Sequence, residues 1–259
     1  MRVHRLRLDG SVHWAVARDA EHARLWSDAP WCGGHETTRD VPLDAAACVA
    51  PVRPGKIVCV GRNYAAHARE LGHDIPTEPL LFLKPPSALL DPGRSVELPP
   101  ESSQVEHEGE LAVVVGRHLR RAGRQEALGA IAGITCGDDV TARDLQRKDI
   151  QFTRAKGFDT FCPVGAWVET EPGPLERVEL ITRVNGETRQ HGRIVDMLWP
   201  VDALLAYISN VMTLEPGDLI LTGTPAGVGP LCAGDTVEVE LPGIAVLRHG
   251  VREAIADTA

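Results

Sequence analysis

Acidic side chains alternate along one short stretch of the chain, directly before a strongly apolar run. Glu106, Glu108 and Glu110 are separated by single residues, and the apolar residues 111–115 follow. Because alternate residues of a β-strand point to the same face, these three carboxylates would project together. Two interpretations are open. The acids could lie at a hydrated strand end, or they could bind a hard divalent cation such as Mg²⁺, Mn²⁺ or Ca²⁺.

Two further acids, Asp138 and Asp139, end a second apolar stretch and precede a predicted helix. Either residue could be the N-terminal cap of that helix. Alternatively, one of them could join two of the glutamates, and three carboxylates would bind a divalent ion while leaving positions for water or substrate.

Lys156 lies between Ala155 and Gly157, in a segment of small and apolar residues. A partly desolvated lysine near a metal and an anionic substrate would stabilise developing negative charge, although a lysine is more commonly exposed. His67 and Glu70 are spaced i, i+3, which places both on one face of a short helix. A histidine oriented by a carboxylate is a general-base arrangement, although an ordinary surface pair has the same spacing.

A glycine-rich stretch, residues 221–230, follows a predicted strand. Such a loop could bind an anion or could simply form a tight turn. Its spacing differs from that of nucleotide-binding loops, and the chain has no G-x-G-x-x-G, P-loop, H-E-x-x-H or G-x-S-x-G motif.

The elements that must position these residues are mainly strands. Hydrophobic patterning predicts few helices and no regular β-α-β alternation, which favours a mixed, mainly β fold. Strands are predicted at 56–60, 80–84, 105–116, 131–140 and 219–222. Hairpin turns are predicted at Asp9-Gly10, Asn185-Gly186 and Pro242-Gly243. Helices are predicted at 62–71 (ending at Gly72), 141–149 and 201–212. The last helix carries an apolar stripe of Leu204, Leu205, Ile208, Val211 and Met212.

Pro51 and Pro54-Gly55 interrupt regular secondary structure and predict a domain boundary. The boundary separates a small N-terminal β-rich domain, residues 1–52, from a main domain, residues 53–259. Residues 73–79 form a polar, proline-containing loop that we expect to be mobile.

Composition excludes several functional classes. The chain has 259 residues, 43% hydrophobic and 24% charged, with a net charge of −9, so it lacks the basic footprint of a nucleic-acid-binding protein. No apolar run approaches the roughly 18 residues of a membrane span, and the N-terminus has no apolar core of a secretory signal. The six cysteines form no C-x-x-C pair, so we expect buried, reduced thiols and a cytoplasmic protein.

Seven segments, in order along residues 56–248, together resemble the fumarylacetoacetate hydrolase family. They are 61–70 (GRNYAAHARE), 81–85 (LFLKP), 108–116 (EGELAVVVG), 139–146 (DVTARDLQ), 155–163 (AKGFDTFCP), 184–187 (VNGE) and 221–229 (LTGTPAGVG).

The resemblance implies a β-sandwich-roll catalytic domain, a homodimer, and an Mg²⁺ or Mn²⁺ ion. By matched position it assigns three metal ligands, Glu108, Glu110 and Asp139. It leaves Glu106 and Asp138 outside the ligand set. It also implies an active-site lysine (Lys156), substrate-binding residues (Arg143, Gln146 and Thr224) and a lid dyad that activates water (His67 and Glu70). The lid would span residues 62–79 and become ordered on substrate binding.

The chemistry that the resemblance implies is enolate formation from a small 2-oxo acid bound to the metal through its carboxylate and 2-oxo oxygens. Hydrolysis or decarboxylation of a 2,4-dioxo acid or 2-oxo diacid would break the C3–C4 bond, and the His67–Glu70 pair favours acylpyruvate-type hydrolysis. The alternative is the 2-hydroxyhepta-2,4-diene-1,7-dioate isomerase and 5-oxopent-3-ene-1,2,5-tricarboxylate decarboxylase reaction of aromatic degradation.

Overall fold

The computed structural model describes residues 1–254, and within them the chain forms 21 strands and five α-helices. The first strands are β1 (Arg2–Leu8), β2 (Ser11–Ala17), β3 (His22–Trp26), β4 (Glu36–Pro42), β5 (Cys48–Val49), β6 (Ile57–Gly61), β7 (Leu80–Lys84), β8 (Leu89–Leu90), β9 (Ser95–Leu98), β10 (Val105–His107) and β11 (Gly109–Val115). The others are β12 (Ile131–Asp138), β13 (Thr141–Ala142), β14 (Cys162–Pro163), β15 (Val168–Glu169), β16 (Glu179–Val184), β17 (Glu187–Arg193), β18 (Leu219–Leu221), β19 (Gly229–Pro230), β20 (Thr236–Leu241) and β21 (Ala245–Glu253). The helices are α1 (Ala65–Glu70), α2 (Arg124–Leu128), α3 (Arg143–Lys148), α4 (Thr153–Lys156) and α5 (Val201–Val211).

Two large sheets and two small ones organise these strands, and the predicted mainly β fold is confirmed. The largest sheet has eleven strands in the order β4-β3-β2-β1-β15-β12-β11-β18-β6-β7, with β5 also paired to β1. The second has the order β17-β16-β20-β21-β9. Smaller sheets join β13-β10-β19 and β14-β8.

Strand β11 lies at the centre of the molecule and is buried on both faces. Leu111 and Val113 belong to the core that also contains Leu180 and Val239 of the five-stranded sheet. Residues between them on β11, such as Ala112, belong to a separate core on the opposite face. The period of two in β-strands explains this division, and burial on both faces explains why 111–115 is continuously apolar.

The three predicted hairpins are confirmed, and the first two have the turn chemistry that their sequences predict. Asp9 and Gly10 have φ values of 50° and 78°, and Asn185 and Gly186 have 53° and 81°. Two consecutive left-handed residues are typical of the hairpin turn that matches strand twist. The third hairpin pairs β20 with β21.

The single strand predicted over 105–116 is wrong, because the chain changes sheets at Glu108. Strand β10 pairs with β13 and β19, whereas β11 pairs with β12 and β18. At the break, the N–H of Glu108 donates to Asp138 Oδ1 at 2.7 Å and the N–H of Gly109 donates to Gln190 Oε1 at 3.0 Å. Side chains therefore replace sheet partners at this point.

Two predicted helices begin later than expected. Helix α1 begins at Ala65 because Arg62 has a left-handed φ of 56°, which a helix cannot contain. Its predicted end is confirmed, since Gly72 has a φ of 70°. Helix α3 begins at Arg143, and residues 141–142 form β13. The cap of α3 is Ala142, so a capping role for Asp138 or Asp139 is wrong.

Helix α5 matches its prediction to within one residue, but its apolar stripe is shorter than expected. Leu204, Leu205 and Ile208 are buried, whereas Val211 is 60% exposed. The helix therefore contacts the core through about its first two turns, from Val201 to Ile208, and its last residue, Val211, faces solvent.

The N-terminal strands are hydrogen-bonded into the large sheet through the pairing of β1 with β15. The domain boundary at residue 52 stays a prediction, and the last five residues of the predicted main domain lie outside the described residues. Among residues 1–254, no helix is long and apolar enough to cross a membrane.

The expectation of buried thiols is correct for four cysteines and wrong for two. Cys48, Cys59, Cys136 and Cys162 are buried, and Cys32 and Cys232 are exposed; all six are free. Burial raises the pKa of Cys136 and of Cys162 to about 12, so these thiols stay protonated and unreactive at neutral pH.

We expect Leu205→Ala to destabilise the protein by about 2–5 kcal/mol, because it removes a fully buried side chain from the main core. Val211→Ala, on the same helix but exposed, should change stability by no more than about 0.5 kcal/mol. Urea unfolding measures both values. Equal effects would contradict the orientation of α5.

Candidate active site

Three carboxylates converge where β11, β12 and the strand break meet. Glu108 lies at the break, Glu110 lies on β11, and Asp139 directly follows β12. One oxygen of each lies within 4.8 Å of the others. The antiparallel register that pairs Gly109 with Asp138 brings the two strand ends together. The side chains are 4%, 2% and 1% exposed, so a hydrated strand end is the wrong interpretation.

Two buried lysines contact this carboxylate cluster. Lys156, at the end of α4, donates from Nζ to Glu108 Oε2 at 2.8 Å and to Asp139 Oδ2 at 2.6 Å. Lys84, at the end of β7, donates to the other oxygen of Asp139 at 2.6 Å. Lys156 is 2% exposed, so the surface-lysine interpretation is wrong.

Arg143, the first residue of α3, binds acids on both sides of the strand break. Its Nε donates to Glu106 Oε2 at 2.7 Å, and its Nη2 donates to Glu108. Its Nη1 donates to Gln146 Oε1 at 2.5 Å. Glu106 is therefore a buried partner of Arg143 and lies outside the carboxylate cluster.

Four buried carboxylates (Glu106, Glu108, Glu110 and Asp139) thus face three buried cations (Lys84, Arg143 and Lys156). Of these four, Glu110 forms no ion pair with any residue of 1–254. Burial, together with the charges of Asp139 and Glu108, raises the pKa of Glu110 well above its usual range. Burial also acts to raise the pKa of Glu108, but Lys156 and Arg143 outweigh it, and that pKa falls below its usual range.

The donor set suits a hard divalent cation. Carboxylate oxygens are the preferred ligands of Mg²⁺ and Mn²⁺, and the cluster offers three that lie close enough to share one ion. The raised pKa means that the ionised form of Glu110 is unfavourable in the metal-free site, and a bound divalent ion would stabilise that form.

The glycine-rich loop after β18 contacts protein carboxylates through its backbone. Gly223 N–H donates to Glu110 Oε2 at 2.6 Å, and Gly227 N–H donates to Glu70 Oε1 at 2.9 Å. Gly223 has a φ of 102°, and a Cβ there would lie 2.6 Å from Asn63 Cβ. Only glycine allows this approach, so the loop orients a site carboxylate.

His67 and Glu70 do interact on α1. His67 Nδ1 lies 3.3 Å from Glu70 Oε2. His67 is 4% exposed, whereas the Glu70 side chain is 32% exposed, so the pair joins a buried imidazole to a carboxylate that reaches the surface. Because Glu70 also accepts from Gly227, the dyad joins α1 to the glycine-rich loop.

A cavity of about 280 Å³ opens beside the cluster. Seven of the nine predicted site residues line it: His67, Glu108, Glu110, Arg143, Gln146, Lys156 and Thr224. The other two, Glu70 and Asp139, stand behind His67 and Lys156 and contact them. Its remaining lining includes Arg62, His73, Arg147, Phe82 and Phe152.

Sequence reasoning assigned no role to Lys84 or Gln190. Lys84 ends a strand before two prolines, a pattern that gives no sign of burial. Gln190 donates to Thr224 Oγ1 at 2.7 Å and accepts from Gly109 N–H, so it fixes both the strand break and a predicted substrate-binding residue. The only sequence signal for Gln190 is a polar residue at a hairpin position that would otherwise face the core.

Comparison with known proteins identifies relatives across nearly the whole chain. Residues 56–252 match the family model described as fumarylacetoacetate (FAA) hydrolase C-terminal. The mitochondrial oxaloacetate decarboxylase of Dictyostelium discoideum is 45% identical over 73% of this chain and 89% of its own. The mitochondrial oxaloacetate tautomerase of Arabidopsis thaliana is 42% identical over 77% of this chain and 92% of its own.

Solved structures of other proteins have the same architecture as this chain. The crystal structure of 2-hydroxyhepta-2,4-diene-1,7-dioate isomerase from Mycobacterium marinum superposes with a TM-score of 0.89 at 42% identity, covering 98% of each chain. The match therefore includes the N-terminal strands that lie outside the family model.

We expect Glu110→Gln to abolish tight Mn²⁺ binding without disrupting the fold. Glutamine keeps an oxygen that accepts from Gly223 N–H but removes the ligand charge. The loss should exceed the roughly 10–100-fold that follows loss of a residue which only orients a ligand. Calorimetric titration of the metal-free protein with Mn²⁺ measures the change.

The same variant tests the electrostatics of the metal-free state. A raised pKa means that ionised Glu110 opposes folding at neutral pH, so metal-free Glu110→Gln should melt at a higher temperature than the metal-free wild type. Wild type should gain about 2.7 kcal/mol at Mn²⁺ concentrations near 100 times Kd, and the variant should not. An equal metal-induced gain in both proteins would contradict the assignment of Glu110.

Proposed function

The chain belongs to the fumarylacetoacetate hydrolase family, and from that premise we propose that it is a divalent-metal-dependent enzyme that cleaves the C3–C4 bond of a 2,4-dioxo acid or 2-oxo diacid. The observation that supports this most directly is the buried cluster of Glu108, Glu110 and Asp139 beside a small cavity that His67 and Lys156 also line. A single cavity therefore combines a metal site, a buried cation and a candidate base.

The cavity favours a small anionic substrate. Its volume of about 280 Å³ is at the lower end for ligand sites. Arg62 and Arg147 line it and form no ion pair with any residue of 1–254. Together with a bound divalent ion they would attract an anion despite the net charge of −9 on the chain. Arg143, Gln146 and Thr224 would contact the substrate's polar groups.

A divalent ion on the carboxylate cluster would act as a Lewis acid toward the 2-oxo carboxylate end of the substrate. Lys156 holds its ammonium group between Glu108 and Asp139 and lines the cavity. In this position its charge stabilises negative charge that develops on a substrate oxygen as the C3–C4 bond breaks.

Hydrolysis would need the His67–Glu70 dyad. Glu70 orients the imidazole, and His67 removes a proton from water. The hydroxyl group adds to C4, the C3–C4 bond breaks with its electrons on C3, and C3 then takes a proton. Decarboxylation would need no such base, because no water adds: C4 leaves as carbon dioxide, the electrons of the C3–C4 bond stay on C3 as the enolate, and C3 then takes a proton.

A second candidate is isomerisation or tautomerisation of an unsaturated 2-oxo diacid, which moves a proton about the same enolate without breaking a carbon–carbon bond. The observation that favours it is the similarity to an oxaloacetate tautomerase and to a 2-hydroxyhepta-2,4-diene-1,7-dioate isomerase. Assays of acetylpyruvate, fumarylpyruvate, oxaloacetate and the dienedioate with Mg²⁺ or Mn²⁺ distinguish the candidates, and turnover of none would contradict both.

The proposed partners are the small-molecule 2-oxo acid and a second copy of the chain. The homodimer follows from the family resemblance, and light scattering of the purified protein at several concentrations checks it. A monomeric mass at all concentrations would contradict it.

We expect His67→Ala to lower acylpyruvate hydrolysis by about 10²–10⁴-fold while sparing oxaloacetate decarboxylation, because only hydrolysis requires activated water. Steady-state rates with both substrates at saturating Mn²⁺ measure the split.

The matched control is His118→Ala, which removes an exposed histidine that contacts Glu215 on the surface. It should leave both rates unchanged. Equal loss of hydrolysis and decarboxylation in His67→Ala would contradict the proposed division of roles.

A further inference from the structure

A second buried acid–base pair lies behind the carboxylate cluster and has no part in the chemistry described above. His249 Nε2 on β21 lies 2.9 Å from Asp138 Oδ2 at the end of β12, and both side chains are fully buried. The contact joins the five-stranded sheet to the eleven-stranded sheet. A buried ion pair of this kind contributes little net stability to the fold. Its position next to the carboxylate cluster therefore suggests a role in the site.

The other oxygen of Asp138 accepts the N–H of Glu108 at 2.7 Å. The carbonyl of Glu108 accepts the N–H of Asp139 at 2.9 Å. Asp138 thus holds the backbone of one cluster member and precedes another in sequence. Its carboxylate has one oxygen for Glu108 and one for His249, so rotation of the group is blocked at both ends.

The backbone at Glu108 depends on this side-chain contact because the chain changes sheets there. Strand β10 ends at His107 and β11 begins at Gly109, so the N–H of Glu108 has Asp138 in place of a strand neighbour. The position of a carboxylate ligand is defined only as precisely as the position of the backbone to which its side chain is attached.

We propose that His249 is a positioning residue for the divalent ion: by fixing Asp138, it fixes the backbone of Glu108 and so the geometry of the three-carboxylate cluster. This inference rests on the proposed metal-dependent function. Nε2 of His249 donates to the Asp138 carboxylate, which can only accept, and Nδ1 lies 3.0 Å from the carbonyl oxygen of Gly250, so both ring nitrogens are held. The role resembles that of groups that orient metal ligands from behind.

The inference is tested with two substitutions of similar length. His249→Gln keeps an amide donor that reaches Asp138, whereas His249→Met fills the space without a donor. Leu247→Ala is the matched control, because Leu247 is buried on the same strand but contributes to the core between the sheets. Mn²⁺ affinity of the metal-free proteins is measured by calorimetry at one pH.

We expect His249→Met to weaken Mn²⁺ binding by about 10–100-fold and His249→Gln to recover most of it. Leu247→Ala should bind Mn²⁺ as the wild type does, although it is less stable. Wild-type affinity in His249→Met, or equal weakening in Leu247→Ala, would overturn the positioning role. A wild-type protein that binds no Mn²⁺ would instead overturn the proposed metal-dependent function.

A second measurement, amide hydrogen exchange, uses the wild-type protein without metal and therefore does not depend on whether a variant folds. In the metal-free wild type, the amide proton of Glu108 should exchange with solvent as slowly as the amide protons of buried β11 residues such as Val113. The reason is its hydrogen bond to the Asp138 carboxylate. Fast exchange at Glu108 with slow exchange at Val113 would overturn the inference regardless of how the metal titrations turn out.

Discussion

Burial of Glu108, Glu110 and Asp139 within 4.8 Å of one another is the constraint on which the rest of the site depends. Like charges in a buried place repel strongly and must be compensated. Lys84 and Lys156 are buried at the ends of β7 and α4 because they provide this compensation. The compensation is incomplete, because Glu110 forms no ion pair with any residue of 1–254, and a divalent ion bound as proposed would complete it.

The fold places the three carboxylates at the large sheet and the His67–Glu70 dyad on a short helix outside it. Glu110 lies on β11, which is buried along its whole length, Glu108 directly precedes β11, and Asp139 directly follows β12. His67 and Glu70 lie on the short helix α1, which contacts the glycine-rich loop through the bond from Gly227 to Glu70. In the proposed mechanism the carboxylate cluster and its metal ion withdraw electrons and the His67–Glu70 dyad transfers protons. Relatives with a similar fold carry different reaction names.

The sequence predicted the cluster better than its surroundings. Alternating acids before an apolar run indicated Glu106, Glu108 and Glu110 together, because the β-strand period is a local property. The family resemblance then selected Glu108 and Glu110 as the ligands. The strand break at Glu108 was missed, because Asp138 and Gln190, which hold it, are distant in sequence. Lys84 was missed for the same reason: only the partner Asp139, from another strand, makes its burial favourable. Mainly β architecture and hairpin turns were predictable because both depend on local patterns.

The most direct test of this account is a crystal structure of the protein with Mn²⁺ and oxalate, with the ion located by its anomalous scattering. The account predicts one Mn²⁺ per chain, bound by oxygens of Glu108, Glu110 and Asp139, with oxalate in the cavity facing Lys156 and His67. An ion bound elsewhere, or none at all at saturating Mn²⁺, would contradict it.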